Sequence, residues 1–392
     1  MSLTPQVPLA ALFVAALINL TLLRAEDASK PSEALTFPLS QRAKELIPEV
    51  QQKVMKKVEE QFGTPSHPIV PEGIPVEKTV VLKGQTVYSL HCARCHGEAG
   101  TGAGPEAKAL QPQPRDFRRG VFKWKSTSIA QRPLRHDLRE TIRLGVPDTA
   151  MPGFPKFSEA DAKSVVEYVR WLSMAGEFQV RLVDEFYSDF SIAMLKNEIR
   201  EGKKEKEVIA NAIKVIVEIL PEVSTDSLKR ISDDWKSAEL ETSILRPKSA
   251  LASTSDAAVQ RGRELFTSLK VRCNLCHGET GKGDGIVTRD FWPIPGDSLN
   301  RKYAEPGLHN VWGQVNQPWD LAKGKMRGGD SPEDLFRRIA AGISGTQMPG
   351  FGGSFLTEAE IWDVVSYVQS LPSEKPKTKS IRQPPPQGAT AK

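Results

Sequence analysis

Cysteine is nearly absent from this chain. Four occur in 392 residues, and all four fall in two short stretches, Cys92-Ala93-Arg94-Cys95 and Cys273-Asn274-Leu275-Cys276. A disulfide framework would scatter its cysteines, so that architecture is excluded. Histidine is scarce as well, six in all, and two of the six, His96 and His277, directly follow those stretches. Neither sign of charge dominates. Lys and Arg number 53 against 48 Asp and Glu, a net of +5, so no strongly basic nucleic-acid surface is implied. Long apolar runs are missing too. Leu9 to Leu23 is broken by Asn19 and Thr21, and as a helix it would reach roughly 22 Å, short of a hydrocarbon core of about 30 Å.

What is present is a motif used twice. Cys92-Ala-Arg-Cys95-His96-Gly97 and Cys273-Asn-Leu-Cys276-His277-Gly278 both read Cys-x-x-Cys-His-Gly. Cys-x-x-Cys-His is the attachment signal for c-type haem. Each thiol can add across one porphyrin vinyl group, and the following His can present a ring nitrogen to the iron. A zinc site would want four N/S ligands, with a second Cys or His pair nearby. A thioredoxin-like pair would lack the adjoining His and sit in a βαβ pattern. The expectation is two covalently bound haem c groups. Pro and Gly are abundant, 29 each, which suits a loop-rich fold wrapped around a cofactor.

Around the motifs the chain divides in order. Residues 1–25 hold the apolar run, whose length suits a secretory signal. No Lys or Arg precedes it, and cleavage after Ala25 would put bulky Leu23 at the third position back. An uncleaved anchor, with membrane association through residues 9–23, therefore stays open beside a cleaved leader. Export to the periplasm agrees with c-type attachment, which takes place outside the cytoplasm in bacteria. Residues 26–78 form a polar extension with a helical patch from Gln41 to Phe62. There Leu46, Val50, Val54 and Val58 make one stripe, expected to pack on the first unit.

Residues 79–172 form that unit: a helix into the first motif, the Gly-rich loop Glu98–Gly104, a short helix Asp137–Leu144, the turn Met151-Pro-Gly-Phe154, and a last helix capped by Ser158 and Asp161. Residues 173–255 contain no Cys or His. They read as a helical connector of three pieces, Val180–Glu201, Lys206–Leu220 and Thr225–Glu241, stopped once at Pro221, or else as a dedicated partner surface. Residues 256–371 repeat the first unit. Glu98–Gly104 pairs with Glu279–Gly285, Pro114–Phe117 with Pro318–Leu321, Gly120 with Gly324, and Met151–Phe154 with Met348–Phe351. The second copy is longer between Gly285 and Pro318. Residues 372–392, rich in Lys and Pro, are expected to be disordered.

Each unit resembles a class I cytochrome c domain: a helix into Cys-x-x-Cys-His, a loop, a methionine in a Met-Pro turn, and a C-terminal helix. The resemblance implies an all-α chain of two such domains joined by a helical connector. It also implies His on one haem face and Met on the other, so His96 with Met151 and His277 with Met348. A thioether favours ferrous iron and raises the potential relative to a second His. The simpler account, two core methionines filling gaps, does not explain their matched positions. His67, His91, His136, His309 and Met326 are the competing ligands. Arg115 with Trp124, and Trp319 with Arg327, are candidate partners for the haem propionates, although a solvated charged loop explains them equally well.

Two readings of function follow. Two closed His/Met haems would relay electrons between redox partners, from a respiratory donor to an acceptor complex or reductase. One open haem would instead make a dihaem oxidoreductase, peroxidase-like or a sulfur-compound dehydrogenase.

Overall fold

A computed structural model describes residues 36–251, 254–295 and 300–371, with Gln383 and Pro385. The leader expected at residues 1–25 lies outside the described residues, as does the tail apart from Gln383 and Pro385. The all-α expectation is met. α1 (Pro48–Phe62) starts on a proline at its first turn and buries Val50, Val54, Val58 and Phe62. A short antiparallel ribbon, β1 (Gly63–Thr64) with β2 (His67–Pro68), follows. The first domain comprises α2 (Lys78–His91), α3 (Ala93–His96), α4 (Arg135–Leu144) and the start of α5 (Glu159–Phe190). α6 (Ile192–Arg200) and α7 (Glu205–Ala238) connect onward. The second domain holds α8 (Asp256–Thr267), α9 (Asn274–His277), α10 (Pro332–Ala341) and α11 (Glu358–Ser370). Among the described residues, no helix is long and apolar enough to cross a membrane.

In each domain the helix entering the motif crosses the C-terminal helix at a glycine. A Cβ at Gly84 of α2 would lie 2.0 Å from the Ser164 carbonyl oxygen on α5. One at Gly262 of α8 would lie 2.0 Å from that of Asp363 on α11. Hydrogen in place of a side chain is what lets these backbones touch. Matched aromatic pairs flank the crossings: Tyr88 and Tyr168 have ring centroids 5.1 Å apart, Phe266 and Tyr367 5.2 Å. Both C-terminal helices open on a hydroxyl cap, Ser158 accepting from the Asp161 amide and Thr357 from that of Glu360.

The connector departs from expectation. α5 runs unbroken through Leu172 to Phe190, and α7 continues straight through Pro221. Proline removes one helical hydrogen bond and frees the carbonyl four residues back. Here that carbonyl belongs to Val217, itself 54% exposed, so water can satisfy it. Beyond the proline, Ser224 Oγ donates to the Leu220 carbonyl (2.5 Å) and Thr225 Oγ1 to that of Pro221 (3.0 Å). The apolar period also continues across it, and packing holds the helix together. Phe178, Leu182, Phe186, Ile216, Ile231 and Trp235 share one core with α1 and the first domain, whereas the second domain has a core of its own. Residues from α5 to α7 are thus an enlargement of the first domain as much as a link. Glu177 is buried among them. It accepts from Arg132 Nε (3.1 Å) and Trp235 Nε1 (3.0 Å).

The two domains meet along a seam made by equivalent loops. Arg327 of the second domain donates to the carbonyls of Pro147 (3.2 Å) and Asp148 (2.9 Å) in the first. The matching loop of the second domain reaches back, Ser344 Oγ donating to the Ile129 carbonyl (3.0 Å). Trp124 and Gly328, which occupy equivalent places, touch directly. The extra length of the second copy serves this docking. Arg119 Nη1 donates to the Val311 carbonyl (2.8 Å), Lys123 Nζ to Asn316 Oδ1, and the Arg115 guanidinium lies 3.6 Å from the ring centroid of Trp312.

Candidate haem sites

The short helices α3 and α9 place both cysteines and the histidine of each motif within one turn. The loop after each motif folds back on it in the same way. The Gly102 amide donates to the His96 carbonyl and the Gly283 amide to that of His277, both at 2.8 Å. Gly104 to Cys95 and Gly285 to Cys276 follow at 3.1 Å each.

Each histidine is oriented through its Nδ1. That of His96 lies 3.1 Å from the Arg115 carbonyl, and that of His277 3.4 Å from the carbonyl of Trp319, the residue equivalent to Arg115. A carbonyl can only accept, so Nδ1 carries the proton and Nε2 keeps its lone pair for a metal. Burial holds both rings below the ordinary histidine pKa, which keeps them neutral. Burial also pushes the Cys92 and Cys273 thiols up to about 12, and raises Cys95 and Cys276. These thiols stay neutral near pH 7. No group of three or more His, Cys, Asp and Glu able to hold a metal ion occurs among the described residues.

The methionine turns repeat as closely. The Met151 amide donates to Thr149 Oγ1 (3.2 Å) and the Met348 amide to Thr346 Oγ1 (3.1 Å). The carbonyls of Met151 and Met348 accept from Val146 and Ile343 at 3.2 and 3.1 Å, and the Phe154 and Phe351 amides donate at 2.9 Å to Ile142 and Ile339. In the second domain His277 and Met348 line one cavity of about 420 Å³, with Cys273 and Cys276 on its wall. The rest of its lining is mostly apolar, including Phe266, Leu335, Ile339, Val364 and Val368.

This cavity fits a haem. The group is flat and largely apolar, needs N and S ligands at the iron, and carries two carboxylates on one edge. The buried Nε1 atoms of Trp319, on the cavity wall, and of Trp312 have no hydrogen-bond partner. An orphaned buried donor on the cavity wall, that of Trp319, calls for an acceptor, and a haem carboxylate would provide it. In the first domain the same motif, loop and turn recur bond for bond, with the His96 ring stacked on Phe117 at 4.7 Å.

None of the four competing histidines lines the second domain's cavity, whereas Met326 does. His91 is exposed and edge-on to Phe154 and Phe157. His67 pairs with Ser66 on the ribbon, and His136 lies 2.9 Å from the Gln383 carbonyl. His309 is buried, with Nδ1 2.8 Å from the Gly307 carbonyl and its ring stacked on Tyr303 at 3.7 Å. Met326 is buried on the cavity wall within the second core, and Phe122 is its counterpart in the first. Trp124, read as a partner for the first haem, lines the second domain's cavity instead, because its loop runs along the seam. Lys123 beside it was not singled out by its sequence context. The repeat does contain the signal: the spacing that pairs Gly120 with Gly324 pairs Lys123 with Arg327.

Comparison with known families agrees with this geometry. The cytochrome c family model matches residues 81–173, and the model for the cbb3-type cytochrome c oxidase subunit III matches residues 257–368. The chain is a dihaem c-type cytochrome built of two class I cytochrome c domains. Such domains bind haem c covalently and transfer electrons. Among solved structures, the chain is similar to one from the Kuenenia stuttgartiensis reducing HAO-like protein complex. The match has a TM-score of 0.51 and 24% identity, and covers 76% of this chain and all of that one. At this identity the likeness is one of fold. No curated protein matches the chain in sequence.

Proposed function

We propose that this is an exported dihaem cytochrome c that relays electrons from a respiratory donor to an acceptor complex or reductase. One haem would be held by Cys92, Cys95, His96 and Met151, the other by Cys273, Cys276, His277 and Met348. When bound, each haem supplies a one-electron ferric/ferrous couple. The protein's part is to fix the imidazole tautomer, present the thioether and keep water away from the iron.

One observation carries the reading. Among the described residues lining the second cavity there is no Asp or Glu and no histidine besides His277. The site therefore offers a proximal N donor, thioethers and largely apolar walls, but neither a carboxylate nor a second imidazole for substrate chemistry. The partner would be another redox protein, with this chain as the cytochrome subunit of a larger assembly. The fold likeness to a chain from a reducing HAO-like protein complex supports that reading. Residues 1–25 would direct export or anchor the chain at a membrane surface.

The test is titration of the exported protein followed by carbon monoxide. The expected result is reversible uptake of two electrons per chain and an unchanged ferrous spectrum under carbon monoxide. A carbon monoxide complex at either domain would show an open iron and overturn the closed-relay reading.

A further inference from the structure

Positive charge gathers at the seam. Arg115 and Lys123 come from the first domain and Arg327 from the second, and burial lowers the pKa of all three below its ordinary range. Lys123 is brought down to about 7, by burial first and then by Arg115 and Arg327. The nearby carboxylates answer little of this charge. Asp116 is held by Arg118, at 3.0 and 2.8 Å. Asp148 supplies Arg327 with a backbone carbonyl and with some charge attraction. Among the described residues, the side-chain oxygen on the Lys123 ammonium is the neutral amide of Asn316. Buried cations without anions are costly, and two buried indole donors in the same region lack acceptors.

The placement is crossed. Lys123 and Trp124 belong to the first domain yet line the cavity of the second. Arg327, the equivalent of Lys123, lines that same cavity, lies over the Trp319 ring (4.5 Å) and reaches the carbonyls of Pro147 and Asp148, in the loop leading to Met151.

We propose that the seam is one shared anion site, and that Lys123 of the first domain completes the haem pocket of the second by facing the acidic edge of the group bound there. The inference rests on the reading that each domain holds a haem, and it adds that the second site is electrostatically unfinished without the first domain. A cation near an iron centre favours the ferrous state, which carries less positive charge, so Lys123 raises the potential of the second domain's couple.

The experiment is spectroelectrochemical titration of the full holoprotein and of Lys123→Gln and Lys123→Arg, after intact mass has confirmed two covalent haems in each. The second-domain couple is identified as the one that Met348→His lowers. Lys123→Gln is expected to lower the ferrous-to-ferric ratio of that couple at fixed potential by on the order of tenfold, which is 59 mV for one electron. Lys123→Arg, keeping the charge, should stay within twofold of the parent. A Lys123→Gln chain whose second couple moves by less than twofold overturns the proposal, as does a shift confined to the first domain. A parent chain lacking two covalent haems would overturn the underlying reading instead.

Discussion

Gly262→Ala tests how the cavity is shaped. The added Cβ would lie 2.0 Å from the Asp363 carbonyl oxygen, 2.6 Å from its carbon and 2.8 Å from Tyr367 Cβ. Carbon–oxygen contacts in proteins settle near 3.3–3.6 Å, so α8 and α11 must part by on the order of 1 Å. Backbone atoms cannot rotate away as a side chain would. Parting by that distance forfeits a quarter to a half of each dispersion contact along the crossing, which here includes Phe266 against Tyr367. Overpacking of this kind costs about 1–3 kcal/mol, and a clash against backbone belongs at the upper end. About 3 kcal/mol is two decades in the folded-to-unfolded ratio. Phe266, Val364 and Val368 also line the cavity, so haem incorporation into the second domain should fall as well.

Gly353→Ala is the control. Gly353 has φ +78° with nothing within 4 Å of its would-be Cβ, so only backbone strain of about 1–2 kcal/mol applies. Urea unfolding followed by circular dichroism compares the two variants. If Gly262→Ala were no worse than Gly353→Ala, the close crossing would not be what sets the second domain's packing.

Two further outcomes are expected. Replacing Cys273 and Cys276 together by Ala should leave one covalent haem per chain by intact mass; two remaining would contradict attachment there. Glu360, bonded to Lys270 and to the Thr357 amide and hydroxyl, is held down at about 2. A carboxylate whose folded pKa is depressed contributes stability that is present above its unfolded pKa and lost as the pH falls toward the folded one. The second domain's urea midpoint should therefore drop between about pH 4.5 and 2, and Glu360→Gln should flatten that limb.

The local chemistry of this chain was legible in its sequence. The paired motifs, the matched Met-Pro-Gly-Phe turns and the capping residue Ser158 act through neighbours only a few residues away, so spacing reveals them. Pro221 misled because a proline's effect depends on which side of the helix its freed carbonyl faces, and here that side is solvent. Trp124 was assigned to its own domain because sequence order suggests it. Its actual cavity depends on how the two domains dock, and the docking is built from Trp312 and Asn316 in an insertion without a counterpart. Lys123 was visible as the partner of Arg327 in the repeat, yet what either cation faces is a tertiary fact.

The state of the two irons decides most directly whether each domain is a closed electron-transfer site. The measurement is the methionine–iron charge-transfer absorption of the ferric holoprotein, quantified per chain and repeated for Met151→Ala and Met348→Ala. Intensity equivalent to two haems in the parent, halved in each variant, is the predicted result. Parent intensity equivalent to one haem, or a variant that keeps the full band, would contradict the assignment of a His/Met pair to each domain.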